Sequence, residues 1–364
     1  MADVISTRYP TDNAKVPLWE SPSGGISRIR QEDRPMTAVP MIELWRGGML
    51  ESVHSGHAVV FGPGGVEMAW GDPETVIFPR SSCKMLQALP LIESGAAEAA
   101  GLTERQLALS CASHSGAALH TLAVESWLAS LGMAEPDLRC GSHMPQDRDE
   151  NKRLTCSDTA PCQLHNNCSG KHAGFLTLNR HLGGGSEYVE LDHPVQRAVK
   201  AAFEEVTQET SAGYGIDGCS APNFACTVTG LARAMQFFAA ANPDGDTRQS
   251  AAARLTRAMA TFPEMVAGEG RACTNLMRAM GGKVAVKTGA EAVFVAILPE
   301  QKRGIALKIL DGGTRASEAA ITALLIKLGA LDAAHPVVEK LLPSVQRNWR
   351  GFVTGDMRLA PGFG

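Results

Sequence analysis

Two short stretches hold the groups that could do chemistry: "RSSCK", Arg80 to Lys84, and "NNCSGKH", Asn166 to His172. In the second, a thiol, an amine and an imidazole stand close together in a segment without apolar periodicity. Cys168 and Lys171 are spaced like a metal-binding pair, although a lysine ligates only after losing its proton. A turn leading into the helix "HAGFLTLNRHL" accounts for the same residues. "IDGCSAP" is a second glycine-marked turn that carries a carboxylate, Asp217, and a thiol, Cys219. It is open to the same two readings.

Ser81 and Lys84 share one face of a helix, about a turn apart. An unprotonated amine there can take the proton of a serine hydroxyl, which is a poor nucleophile until a base does so. Ser-x-x-Lys alone recurs by chance, but here it follows the strand-like "TVIFPR" and opens a helix. That places helix-start amides and the helix dipole beside the serine. Far downstream, Lys287-Thr288-Gly289 closes another strand-like run. Ser-x-x-Lys with a distant Lys-Thr-Gly is the signature of penicillin-recognising enzymes, and it points to acyl transfer. The Ser-Asp-Asn element of that set is missing. "CASHSG" puts Ser113, His114 and Ser115 where a helix gives way to a loop, either as a second active serine or as a polar turn with capping serines. His54, His57 and His143 have no spacing partner and read as structural or surface histidines.

These residues need elements to hold them. "HAVVFG" and "VEMAWG" around Gly62-Pro63-Gly64-Gly65 predict a hairpin, with "TVIFPR" as a third strand. Leu86, Leu89 and Ile92 mark one helical face, which Pro90 should kink or shorten. Residues 100–280 read as mostly helical, and "KVAVKTG", "AVFVAILP" and "GIALKILDGG" read as three strands joined by tight turns. "RASEAAITALLIKLGA" is a further helix. Residues 1–40 read as an arm, and 41–364 as a single catalytic unit. In that unit 41–99 and 281–330 supply a sheet with flanking helices. The predicted class is therefore α/β in the α+β sense: an antiparallel sheet from N- and C-terminal strands beside a large helical region. The site is expected in the cleft between them.

Composition excludes several functions. With 44% hydrophobic and 20% charged residues and a net charge of −4, nothing suggests a nucleic-acid or anionic-membrane partner. No apolar run is long enough to span a bilayer. The opening residues lack the apolar stretch of a signal peptide, and nine scattered cysteines without a CxxC pair suit a reducing compartment. Cytoplasmic placement is expected.

Taken in order, "RSSCK", "CASHSG", "NNCSGKHAG", "DGCSAP", "FPEMVAGEGRACTNLMRA" and "KVAVKTGAEA" resemble the Rhizobium etli-type L-asparaginases, from about Leu50 to Asp311. The resemblance implies a fold similar to serine β-lactamases and glutaminases, and hydrolysis of L-asparagine to L-aspartate and ammonia through an acyl-enzyme. It implies Ser81 as nucleophile with Lys84, Ser113 paired with Lys287, and one zinc per subunit held by Cys168, Lys171 and Cys219. Arg80, His172 and Asp217 would contact the amino acid or order the metal's water, and the protein would be a homodimer. Met85 stands where relatives often carry proline, and Cys83 adds a thiol. A β-lactamase-like enzyme, a glutaminase or a D-peptidase is the alternative within hydrolases; a zinc-dependent binding protein with inert serines is the alternative outside them.

Overall fold

The computed structural model describes residues 38–364. The arm expected over residues 1–40 lies outside them except for its last three positions, of which Val39 and Pro40 already belong to a strand. The strands are β1 (Val39–Arg46), β2 (Met49–Gly62), β3 (Gly65–Trp70), β4 (Val76–Ile77), β5 (Tyr214–Ile216), β6 (Pro222–Phe224), β7 (Cys226–Thr227), β8 (Ala285–Gly289), β9 (Val293–Leu298), β10 (Arg303–Ile309), β11 (Gln346–Arg347) and β12 (Val353–Leu359). Eight form one antiparallel sheet in the order β11-β12-β1-β2-β10-β9-β8, with β3 also paired to β2.

The expected class is what the chain adopts: strands from both ends of the sequence build the sheet, and helices lie between. β2 explains how one sheet accommodates so many partners. Its first half pairs with β1, and its second half pairs with β10 and with β3. All six residues of β9 are buried. Side chains alternate between the faces of a strand, so both faces of the sheet centre are covered. The helices Val228–Ala240 and Thr314–Lys327 pack there. Gly304 permits the first approach, because a Cβ on it would meet Gln236 N at 2.2 Å and Ala232 O at 2.3 Å.

Two expectations need correction. "TVIFPR" contributes only the two residues of β4, paired with β7 away from the main sheet. The helical middle is also interrupted, by the hairpin of β5 and β6. β12, not anticipated from the pattern, adds to the sheet by pairing with β1.

The helix Lys84–Glu93 is buried on every side from Lys84 to Leu91, which is the signature of a helix running through a core. Around it pack the helices Ser169–Leu182, Pro194–Thr207 and Thr247–Thr261. Pro90 sits in its last turn, and the helix runs three residues beyond it before ending at Glu93. Among the described residues no helix is long and apolar enough to cross a membrane.

Candidate active site

A tight 3-10 turn, Arg80–Cys83, presents Ser81 immediately before the helix that begins at Lys84. The turn is held hard. Arg80 has φ +52°, a left-handed conformation that is costly for a bulky side chain. Asn223 of β6 clamps its backbone, accepting the Arg80 N–H at 3.2 Å and donating to the Arg80 carbonyl at 3.4 Å. The guanidinium meets Asp217 at 2.7 and 3.0 Å. From the other side comes β8, where Gly289 allows close contact: a Cβ there would lie 2.6 Å from Pro79 O and 3.0 Å from Ser82 N. The glycine of Lys-Thr-Gly is thus what lets β8 approach the serine turn.

Lys84, 1% exposed, donates from Nζ to Ser113 Oγ at 3.0 Å, to Cys168 Sγ at 3.0 Å and to the Ala112 carbonyl. Its recorded serine partner is therefore Ser113. Among the described residues no hydrogen bond joins Ser81 to Lys84 or Ser113 to Lys287. Ser113 is fixed by its own N–H to Val266 O at 2.9 Å, and the neighbouring His114 N–H reaches Asn167 O at 3.1 Å. Lys287 is fully buried on β8 and donates to Thr288 O at 2.7 Å. Burial, with the charge of Lys84 added, pushes its amine down to about 7. It is a lysine that can exchange a proton at neutral pH.

The thiol end adjoins this one through Lys84. The helix Ser169–Leu182 starts with Cys168 at its cap position and puts Lys171 in its first turn. Gly170 is needed there, since a Cβ would meet Leu109 O at 2.4 Å. Across from it, the β5–β6 turn is closed by Ser220 N–H to Asp217 O at 2.8 Å and Asp217 N–H to Ala221 O at 3.0 Å. That turn carries Cys219, whose Sγ lies 3.1 Å from Lys171 Nζ. The Cys168 S–H donates to Asn167 Oδ1 at 3.2 Å. The neighbouring Cys168 thiol holds the Cys219 thiol well below its ordinary value against burial, and the Lys171 charge adds to the effect. Coupling to Cys219, with burial, pushes the Cys168 thiol up to about 12. Burial alone would lower Lys171, but Cys219 and Cys168 hold it above its usual value. Burial would likewise raise Asp217, yet Lys171 and Arg80 keep it below the usual carboxylate value.

The sequence-selected residues therefore fall into three contacting sets. Lys84, Ser113 and Cys168 are in contact, as are Lys171 and Cys219, and Arg80 with Asp217. His172, fully buried, bonds through Nδ1 to Tyr188 Oη at 2.8 Å. Cys83 donates to Arg80 O at 3.2 Å and burial pushes it up to about 12, which makes it a packing residue. Met85 is a core side chain. His54 behaves as a structural histidine, tied to Asp311 at 2.5 Å and to Arg315 at 3.0 Å. His143 also has a structural role, since its Nε2 accepts the Asn167 N–H at 3.0 Å and so braces the site loop.

Against families of known proteins, the family described as L-asparaginase II matches residues 42–359. The chain belongs to the L-asparaginase II family. As a member it is an amidohydrolase. No curated protein matches the chain by sequence. Among solved structures it is similar to a β-lactamase from Mycobacterium bovis, at 16% identity over 76% of this chain and 95% of that one, with a TM-score of 0.43. It is also similar to a Bacillus subtilis glutaminase, at 12% identity over 76% and 88%, with a TM-score of 0.31. The family match alone carries the assignment.

For this L-asparaginase II family member, reading the sequence missed Asn223, Asn167 and Tyr188. Asn166 and Asn167 had a signal. A pair of asparagines before a helix start suggests a side chain bonding the backbone two residues on, and Asn166 Oδ1 does accept the Cys168 N–H at 2.8 Å. Asn223 and Tyr188 had none, since their partners are distant in the chain.

Proposed function

We propose that the protein is an L-asparaginase that converts L-asparagine to L-aspartate and ammonia through an acyl-enzyme on Ser81. The observation that carries this reading is the family match over residues 42–359. Two buried amines beside the serines supply its chemistry.

Ser81 Oγ attacks the side-chain carboxamide carbon, and its proton passes to the Lys84–Lys287 pair. Lys287, with its amine pushed down to about 7, is the member that burial and its neighbour's charge leave able to accept a proton near neutrality. The proton returns to the departing nitrogen, ammonia leaves and an aspartyl ester remains. Water, deprotonated by the same pair, then releases aspartate. Ser113, hydrogen-bonded to Lys84, orients that amine. The Ser82 N–H is committed to Pro79 O at 3.2 Å, which removes it from the helix-start amides able to stabilise the oxyanion.

Cys168, Lys171 and Cys219 would hold one zinc ion, with Asp217 and His172 around it. The donor set fits: two coupled thiols, one of them held well below its ordinary value, with the Lys171 amine 3.1 Å from Cys219 Sγ. Among the described residues no three His, Cys, Asp or Glu side chains converge as a metal group. The third ligand would have to be this lysine. When bound, the ion would supply a positive charge that helps orient the substrate. With Ser81 available, no metal-bound hydroxide is required. We further take the protein to be a homodimer, as the family resemblance implies, which sedimentation velocity would test, and to be cytoplasmic, as its scattered cysteines suggest.

The deciding experiment is a coupled ammonia assay on asparagine and glutamine, with a chromogenic cephalosporin alongside. Asparagine should be turned over, and Ser81→Ala should abolish turnover while leaving fold and metal content unchanged. A variant that keeps a tenth of wild-type activity would overturn the nucleophile assignment and point to Ser113. Cephalosporin hydrolysis without ammonia release would favour the β-lactamase-like alternative.

A further inference from the structure

His172 lies in the first turn of its helix without solvent exposure, and its Nε2 has no hydrogen-bond partner. Its Nδ1 is 2.8 Å from the hydroxyl of Tyr188. That hydroxyl also accepts the backbone N–H of Arg139 at 2.8 Å, and Tyr188 too is fully buried. The pair can share protons in two ways. If Tyr188 donates to Nδ1, its hydroxyl is satisfied both as donor and as acceptor, and only the His172 Nε2–H is left over. If Nδ1–H donates instead, the phenolic hydrogen and the Nε2 lone pair are both buried without partners. The first arrangement leaves one orphan and the second leaves two. Folded proteins avoid such orphans, so the first is favoured. Phe175 keeps the two rings in place, with its centroid 5.6 Å from His172 and 6.3 Å from Tyr188.

The groups whose charges bear on His172 are Lys171, Lys84, Cys168 and Asp217, all members of the candidate site. A buried donor without a protein partner in that company is suited to an acceptor that the ligand brings. We infer that Tyr188 is a positioning residue, which holds His172 in the Nε2–H form so that this N–H is kept for an oxygen of the bound substrate. The identity of that substrate rests on the asparaginase reading; the proton arrangement does not.

Two measurements on the full chain test this. In protein labelled with ¹⁵N-histidine, the His172 resonances, assigned by their loss in His172→Gln, should show Nε2 protonated and Nδ1 bare at neutral pH. Protonation on Nδ1 would overturn the inference, whatever the enzyme's substrate proves to be. In kinetics, Tyr188→Phe should raise KM for asparagine about tenfold and change kcat much less. His172→Gln places an amide N–H where Nε2–H stood and needs no tautomer. In that background the phenylalanine substitution should cost nothing further. An equal rise in KM in both backgrounds would mean that Tyr188 only packs, and the inference would fall. Failure of the wild-type protein to release ammonia from asparagine would sink the asparaginase reading alone, leaving the resonance measurement to decide the proton arrangement.

Discussion

Lys171 and Lys287 are both sealed from solvent, at 3% and 0% exposure, and their amines are driven in opposite directions. Burial disfavours the ammonium in each case. At Lys287 the neighbouring charge is Lys84, of like sign, so the two effects add and the amine falls to about 7. At Lys171 the neighbours are the sulfurs of Cys219 and Cys168, which reverse the effect and keep the proton on. Burial sets how much is at stake, and the partner decides the sign. One residue type thereby supplies a proton acceptor at one end of the site and a charge partner at the other.

The largest effect that could break this comparison is at Lys287. In Lys287→Arg the guanidinium stays charged, so kcat/KM should fall by roughly 10²–10⁴ in the ammonia assay. Activity within twofold of wild type would exclude Lys287 as the base. The pH profile sharpens the same point. The neutral amine exists above its pKa, so kcat/KM should climb with pH up to about 7 and level off beyond. A flat acid limb would contradict the assignment.

Next comes the opposite end. Cys219→Ser removes the thiolate that holds the Lys171 proton and, on the zinc proposal, one ligand. Metal content by elemental analysis should drop below one per chain, and KM should rise more than kcat falls. Metal-free wild-type protein with unchanged KM in both forms would reduce the loop to a structural turn.

Gly289→Ala is expected to act through geometry. Its Cβ would crowd Pro79 O and Ser82 N, so the serine turn must shift. Overpacking of this kind costs about 1–3 kcal/mol, read as a lower denaturation midpoint together with reduced kcat.

The smallest effect is on stability. The folded pKa of Lys287 lies below its ordinary 10.5. Between about 7 and 10.5 the unfolded chain therefore binds a proton that the folded one lacks, and this group's penalty shrinks as pH rises through that window. Lys287→Met should raise the melting temperature at pH 7 or below by a few degrees, as at other sites that trade stability for function. The gain should vanish above the upper limit.

What the sequence made legible follows from distance along the chain. Ser81 with Lys84, and Cys168 with Lys171, are local pairs that spacing picks out, whereas the hydrogen-bond partners the fold gives the two amines, Ser113 for Lys84 and Cys219 for Lys171, are distant in the chain. β8, β9 and β10 were legible because their apolar runs end at tight turns. β12 was not, because only Met357 in it is buried and it mixes Asp356 and Arg358 with Met357 and Leu359. β4 misled, because an apolar run flanked by Pro73 and Pro79 reads as a strand although only two of its residues pair. The left-handed backbone of Arg80 had no local cue. Asn223 and Asp217 impose it across the fold, and only the tertiary structure brings them there.

The pairing of β1 with β12 has a consequence in time. Ile42 sits opposite Leu359, so β1 waits for a strand that leaves the ribosome long after it. Lys287 arrives late as well, on a strand that seals the serine turn through Gly289. A nascent chain can therefore form the helices around Lys84 and the thiol loops well before it owns its proton acceptor. Such long-range pairing is slow and leaves strand edges open meanwhile. The molecule should thus be born catalytically silent, with activity appearing only after β8 and β12 are made and at the pace of sheet closure.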